Sequence, residues 1–203
     1  MKKKVNHLKK DKNILYTGFG DVGTTTLFDC KQGRISKSAI LIEALGSVDE
    51  LNAYLGIIKV YSDIDKISLN VGKKKVAFSK TIEDIQQTLF VIQAELGGSK
   101  MSVSKKDLNN IENIINTIGE VLPPIKSFTI SGGSVLSSGL DFARTLARRS
   151  ERRIISASDE GSRKIGLGTL AYMNRLSSLL FAMSRYANHT LSIPETHPDY
   201  NKN

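Results

Sequence analysis

Tryptophan is missing from this 203-residue chain, cysteine occurs once, and there are only four prolines and three histidines. A lone Cys30 leaves no internal disulfide to form, so a reducing, cytoplasmic setting is expected. His7, His189 and His197 belong to no Glu-x-x-His pair, which excludes the two-metal centre that helical bundles often hold. No metal site built from protein side chains is expected. No Ser/His/Asp arrangement supports a nucleophilic triad. No apolar run approaches the roughly eighteen residues of a membrane span. The Met1–Lys12 segment has lysines but neither the hydrophobic stretch of a secretory signal nor the arginine and serine content of a transit peptide.

The net charge of +9 invites a nucleic-acid reading, but its distribution argues against one. Residues 2–12 hold six lysines and one aspartate, and no aromatic residue interleaves with them to stack bases. Residues 1–13 are expected to be a disordered basic tail, and no nucleic-acid partner is expected. If the chain were instead a basic nucleic-acid binder, deleting residues 1–12 would abolish its salt-dependent binding.

Hydrophobic spacing predicts five amphipathic helices, over about 36–61, 76–96, 104–118, 134–158 and 167–190. The second repeats Phe78, Ile82, Ile85, Leu89, Ile92 and Leu96 on one face. Ser104 with Asp107 reads as a variant capping box opening the third, which Gly119 closes. Spacing near 3.5 suits an antiparallel bundle. Residues 61–75 read as a mobile lysine-rich connection, and 121–133 as an extended link through Pro123-Pro124. Residues 14–34 form a glycine- and threonine-rich loop. One domain over 14–190 is expected, with 191–203 as a tail.

Chemistry concentrates in the fourth helix, where five arginines and a glutamate fall within residues 144–153. At roughly 100° per residue, Arg144, Arg148 and Glu151 lie within about 60° of one another. They border the apolar sector of Leu136, Leu140, Ala143, Leu146, Ala147 and Ile154. Guanidinium groups held there by a carboxylate suit a polyphosphate or carboxylate ligand. The same pattern also describes a solvated basic helix laced by Arg–Glu pairs. On the last helix, Asn174, Ser178 and Arg185 share the face opposite the apolar one.

Gly18-Phe-Gly20-Asp-Val-Gly23 matches the dinucleotide fingerprint in letters only. Thr24-Thr25-Thr26 opens no helix and the chain offers no βαβ unit. Such a loop can still wrap a phosphate chain with its backbone N–H groups, or be an ordinary tight turn.

Taken together, separated segments resemble the PduO-type corrinoid adenosyltransferases. Tyr16-Thr-Gly-Phe-Gly-Asp-Val-Gly-Thr-Thr25 is similar to that family's TRTGDxGTT loop. Gly46-Ser-Val-Asp49-Glu-Leu-Asn52-Ala-Tyr-Leu-Gly56 resembles GxxDELNAxLG. Phe128-Thr-Ile-Ser-Gly-Gly133, followed by Ala143-Arg-Thr-Leu-Ala-Arg-Arg-Ser-Glu-Arg152, resembles FxxPGG…ARTxxRRAER. Tyr172-Met-Asn174-Arg-Leu-Ser177 through Asn188 is similar to YLNRLSDLLFxxARxxN. These segments cover nearly the whole chain in the family's order.

The resemblance implies an all-α, antiparallel five-helix bundle assembling as a homotrimer with active sites between subunits. It implies transfer of the 5′-deoxyadenosyl group of ATP to the cobalt of cob(I)alamin, releasing triphosphate. By matching position, Arg144 would pair with Asp49 across a subunit boundary. Arg148 and Glu151 would engage ATP, with Arg149 assisting or structural. Asn174 and Ser177 would bind the nucleotide. Thr17, Gly20, Gly23, Thr24 and Thr25 would line the phosphates, and Phe128 would cover the cobalt's lower face. Magnesium would accompany ATP, held by phosphate and water oxygens. A cobalamin reductase and a B12-dependent enzyme are the further partners implied.

The departures fall in the loop. Gly18 stands where the family carries arginine, Phe19 where it carries threonine, and Val22 where a base is frequent. Ser131 replaces a proline. A nearby base, Lys31 or Arg34, is the candidate to compensate. A member of the family that holds ATP or adenosylcobalamin for sensing or delivery, with weakened turnover, is the competing expectation.

Overall fold

The computed structural model of the chain describes residues 15–29 and 33–200. The expected basic tail, Cys30 and Lys31 lie outside the described residues. Five helices carry the fold: α1 (Ile40–Ile64), α2 (Phe78–Leu96), α3 (Lys105–Val121), α4 (Val135–Asp159) and α5 (Leu167–Thr190). Two short hairpins accompany them, β1 (Thr24–Thr26) with β2 (Arg34–Ser36) and β3 (Ser68–Val71) with β4 (Lys74–Ala77).

Local chemistry sets the boundaries. Ser104 and Asp107 form the capping box, each side chain accepting from the other's backbone N–H at 3.2 Å. Ser134 caps α4 by accepting from the Ser137 N–H at 3.0 Å. Gly119 does not close α3 as expected. The helix runs on to Val121 and stops at Leu122, whose extended backbone is what a following Pro123 imposes.

The connection expected to be mobile over 61–75 is also otherwise. Here α1 continues to Ile64, and residues 68–77 pair with Leu69 opposite Val76. Leu69 is buried and Val71 packs on the core, while Lys73, Lys74 and Lys75 face solvent. Gly72, at φ +59, supplies the left-handed turn.

Every apolar residue counted on the α2 and α4 faces is buried. Around the bundle the helices follow α2–α1–α4–α5–α3. Ion pairs Arg153–Glu43 (3.4 Å) and Arg149–Glu50 show α1 and α4 antiparallel. Their approach is close at Gly139, where an added Cβ would lie 2.2 Å from Ile58 Cδ1. Irregular segments therefore gather at the two ends of the bundle. One gathers the β1–β2 loop with the C-terminus of α2 and the α4–α5 connection. The other gathers the 122–134 link, the β3–β4 hairpin and the end of α5.

Candidate active site

The arginines of α4 divide by direction. Arg149 turns to Glu50 and Arg153 to Glu43, so both stitch α4 to α1. Arg148 is exposed and makes no ion pair or hydrogen bond among the described residues. One turn further on, Glu151 accepts from Asn174 Nδ2 of α5 at 3.0 Å. The amide oxygen of Asn174 is held in turn by Arg175 Nη1 at 2.9 Å, and Arg175 is anchored by Glu112 at 3.1 Å. Arg148, Glu151 and Asn174 thus share one face, two of them already oriented. Ser177 donates to the Asn174 carbonyl at 3.1 Å and is largely buried.

Asp49 and Arg144 do not meet within the chain. Asp49 is exposed on α1 and accepts from Gln93 of α2 at 3.1 Å. Arg144 stands 3.7 Å from Asp141 on its own helix. Its Nε is buried without a hydrogen-bond partner, a costly state for a charged donor.

At the loop end, Gly18 (φ +69) and Gly23 (φ +73) make the reversals that lead into β1, and Thr24 and Thr25 form its first two residues. Thr17 Oγ1 accepts from the Phe19 N–H at 3.4 Å. Arg34, across the hairpin, donates to Thr24 Oγ1 and to the Thr24 carbonyl, each at 2.8 Å, and also to the Phe19 carbonyl. Lys37 covers Gly20 so closely that a Cβ there would lie 2.8 Å from its Nζ. Asp29, Gly98 and Arg163 fasten the loop to the bundle, Arg163 donating to Asp29 at 2.8 Å. Phe19 and Val22 are exposed.

At the other end Phe128 is exposed, with its backbone in the link before Gly132-Gly133. Asn188 accepts from the Ser134 N–H at 3.1 Å and donates to the Gly132 carbonyl at 2.8 Å. A Cβ on Gly133 (φ +108) would strike Asn188 Oδ1 at 2.3 Å, so that position is closed to other residues. Arg185 is not on a solvated stripe. It is 8% exposed and pairs with Glu195 at 2.5 Å, because the chain after α5 folds back over it. Burial pushes the phenol of Tyr172 up from its ordinary range.

Arg175, Gln93, Lys37 and the Asp29–Arg163 pair escaped the sequence reading. Each acts through a partner remote in sequence; only the lysine beside the hairpin carried a local signal. Among the described residues no His, Cys, Asp or Glu group is arranged to hold a metal ion. No helix among them is long and apolar enough to cross a membrane.

A helical bundle with an unpaired arginine beside a fixed carboxylate–amide pair, and a cation-backed glycine loop at one end, offers the kinds of groups that bind a polyphosphate. The chain belongs to the cobalamin adenosyltransferase family, whose model matches residues 15–187. It is 34% identical to a corrinoid adenosyltransferase of Citrobacter freundii over 198 residues, covering 91% of this chain and 97% of that protein. It is 36% identical over 182 residues to the corrinoid adenosyltransferase PduO of the same organism, covering 86% of this chain but only 50% of that relative. Thus the chain spans about half the length of that PduO relative. Among solved structures, a variant PduO-type ATP:corrinoid adenosyltransferase from Lactobacillus reuteri, complexed with cobalamin and ATP, superposes with TM-score 0.80 at 28% identity. That match covers 92% of this chain and 97% of the other.

Proposed function

We propose that this chain transfers the 5′-deoxyadenosyl group of ATP to the cobalt of cob(I)alamin. The Co–C5′ bond forms as the C5′–O bond breaks, and triphosphate leaves with the electron pair of that bond. The reduced cobalt is the nucleophile, so the protein needs no serine or cysteine of its own. Its work is to align C5′ and stabilise the leaving group. The observation that carries the reading is Arg148, free and exposed beside the Glu151–Asn174 pair. Arg148 lies roughly 20 Å along α4 from Val135, at 1.5 Å per residue. That spacing leaves room for a corrinoid at the Phe128 end while the nucleotide extends toward the loop. Arg34 and Lys37 then serve the phosphates with the Thr17–Thr25 backbone. Phe128 covers the lower face of cobalt and favours the four-coordinate, more easily reduced cob(II)alamin. Magnesium enters on ATP, held by phosphate oxygens and water.

The active unit in this reading is a homotrimer with sites between subunits. Asp49 is exposed, the Arg144 side chain is part-exposed, and the two do not meet within one chain, which supports their meeting across a boundary. Exposed Ile57, Val60 and Ile64 on α1, with Val135 and Phe142 on α4, supply apolar surface for that contact. A cytoplasmic location completes the reading, with a reductase and a B12-dependent enzyme as partners.

An anaerobic assay tests the activity: cob(I)alamin and Mg-ATP are mixed with the protein and loss of the Co(I) band is followed. Light-sensitive adenosylcobalamin with released triphosphate is the expected result. Tight binding of ATP or cobalamin without turnover would instead establish the sensing or delivery reading, which the missing cation at Gly18 favours. Arg34 and Lys37, seated on that loop, weigh against it.

A further inference from the structure

Arg185 lies in the Tyr172–Asn188 motif, yet it is turned away from the nucleotide face. The residue is 8% exposed, and its guanidinium ties together three segments. It projects from α5, donates to the Pro123 carbonyl of the link at 3.1 Å, and grips both carboxylate oxygens of Glu195 at 2.5 and 3.3 Å. A buried charge left unpaired is costly, so this pair fixes where the chain passes after α5. Residues 193–197 then run beside the link as a strap. The Ile130 N–H donates to the Thr196 carbonyl at 2.8 Å. His197 Nδ1 stands 2.9 Å from the Phe128 carbonyl oxygen and 2.9 Å from Ser127 Oγ. Among the described residues, every hydrogen bond made by residues 124–131 goes to this strap. Behind it lies a cavity of about 310 Å³, lined by Phe181, Ser184 and Arg185 of the bundle together with Ile130 of the link and Ile193 of the strap, so close packing from the bundle does not replace those bonds.

We infer that Arg185, Glu195 and His197 are positioning residues for Phe128. The strap they lock sets how the exposed ring is presented to the lower face of the corrinoid. Between its anchors at Pro123 and Gly132, the stretch that carries the ring is bonded only to the strap, so the ring keeps its place only while the strap keeps its own. The inference rests on the lower-face reading of Phe128 given above.

The test uses the full chain with Glu195→Ala, His197→Ala and, as reference, Phe128→Ala. Each is assayed from cob(II)alamin with a reductant and from pre-reduced cob(I)alamin, and bound cob(II)alamin with ATP is examined by electron paramagnetic resonance. Glu195 lies on the strap outside the helices, but its removal leaves the Arg185 guanidinium without its carboxylate, so thermal unfolding checks that the bundle persists and Glu195→Gln serves as the milder variant. The expected loss for Glu195→Ala is about tenfold from cob(II)alamin against less than about threefold from cob(I)alamin, with a smaller four-coordinate signal and unchanged KM for ATP. His197→Ala should show the same split, about threefold. Glu195→Gln, which keeps an acceptor for Arg185, should recover part of the signal. If Phe128→Ala shows the split and Glu195→Ala does not, the strap role is wrong while the Phe128 reading stands. If Phe128→Ala loses equally from both starting states, the lower-face reading fails and the inference falls with it.

Discussion

The two ends of the bundle solve the same problem, holding an irregular segment at a site, by different means. At the loop end the segment is fastened mainly by charge: Arg34 to the carbonyls of Phe19 and Thr24, Lys37 over Gly20, Arg163 to Asp29. At the Phe128 end, glycine and amide geometry does much of the work. Gly133 closes on Asn188, Asn188 bonds Gly132 and Ser134, and one buried ion pair holds the strap. Cations can serve the loop's position and an anionic ligand together. The Phe128 end presents an exposed aromatic ring, as suits an apolar macrocycle. On the proposed function, damage at one end should be read in ATP affinity and damage at the other in the corrinoid step, with α4 between them needed for both.

The largest effect is expected where the comparison collapses, at Arg148. Arg148→Ala should lower kcat/KM by about a hundredfold or more, because a charge-assisted contact to the leaving triphosphate acts in the transition state. Stability should change by no more than about 0.5 kcal/mol, since the side chain is exposed and unpaired. Steady-state kinetics and thermal unfolding measure the two; near-normal turnover would remove Arg148 from the site. Next comes Phe128→Ala, expected to lower the rate from cob(II)alamin by roughly tenfold or more while KM for ATP stays within about twofold. A raised KM for ATP would mean that the ends are not separable.

The helices and the arginine face were legible because their signals are local. Apolar spacing put Phe78 through Leu96 on one buried face, and Ser104 with Asp107 marked a helix start that the capping box occupies. The 144–151 spacing did bring Arg148 and Glu151 to one face with Asn174. What escaped depends on contacts far along the chain. Arg185 on a helix wheel looks solvated, and only Glu195 and Pro123 make it a buried clamp. The β3–β4 hairpin hid because its lysines dominate a short alternation, although Gly72 between Leu69, Val71 and Val76 was a readable turn signal. Gly119 was over-read as a stop, since glycine is compatible with a helix when proline just beyond ends it.

At the loop end a milder substitution sharpens the contrast. Arg34→Ala removes three hydrogen bonds to the loop and one cation beside it. KM for ATP should rise about tenfold, in line with roughly 1–3 kcal/mol for hydrogen bonds to a charged group. The cob(II)-to-cob(I) rate ratio should hold, which a paired assay from both starting states would register. A changed ratio would show that the loop also governs the corrinoid.

The smallest effect belongs to Gly18→Arg, which restores the residue type that the resembling loop carries. The backbone there sits at φ +69, where a side chain costs roughly 1–2 kcal/mol. The new Cβ would also lie 3.4 Å from Asp21 Oδ2, an ordinary contact that leaves the strain as the main penalty. A regained charge-assisted contact to triphosphate contributes a similar amount of opposite sign, about 1–3 kcal/mol. Arg34 already places a guanidinium against the neighbouring Phe19 carbonyl, so the second cation meets a loop partly neutralised. The two terms should nearly cancel, leaving KM for ATP within about threefold. Tenfold tighter ATP binding would mean that the loop lacks charge and that Arg34 and Lys37 do not stand in for the missing arginine. A loss of tenfold or more would mean that the left-handed turn at Gly18 is itself what holds the loop end together.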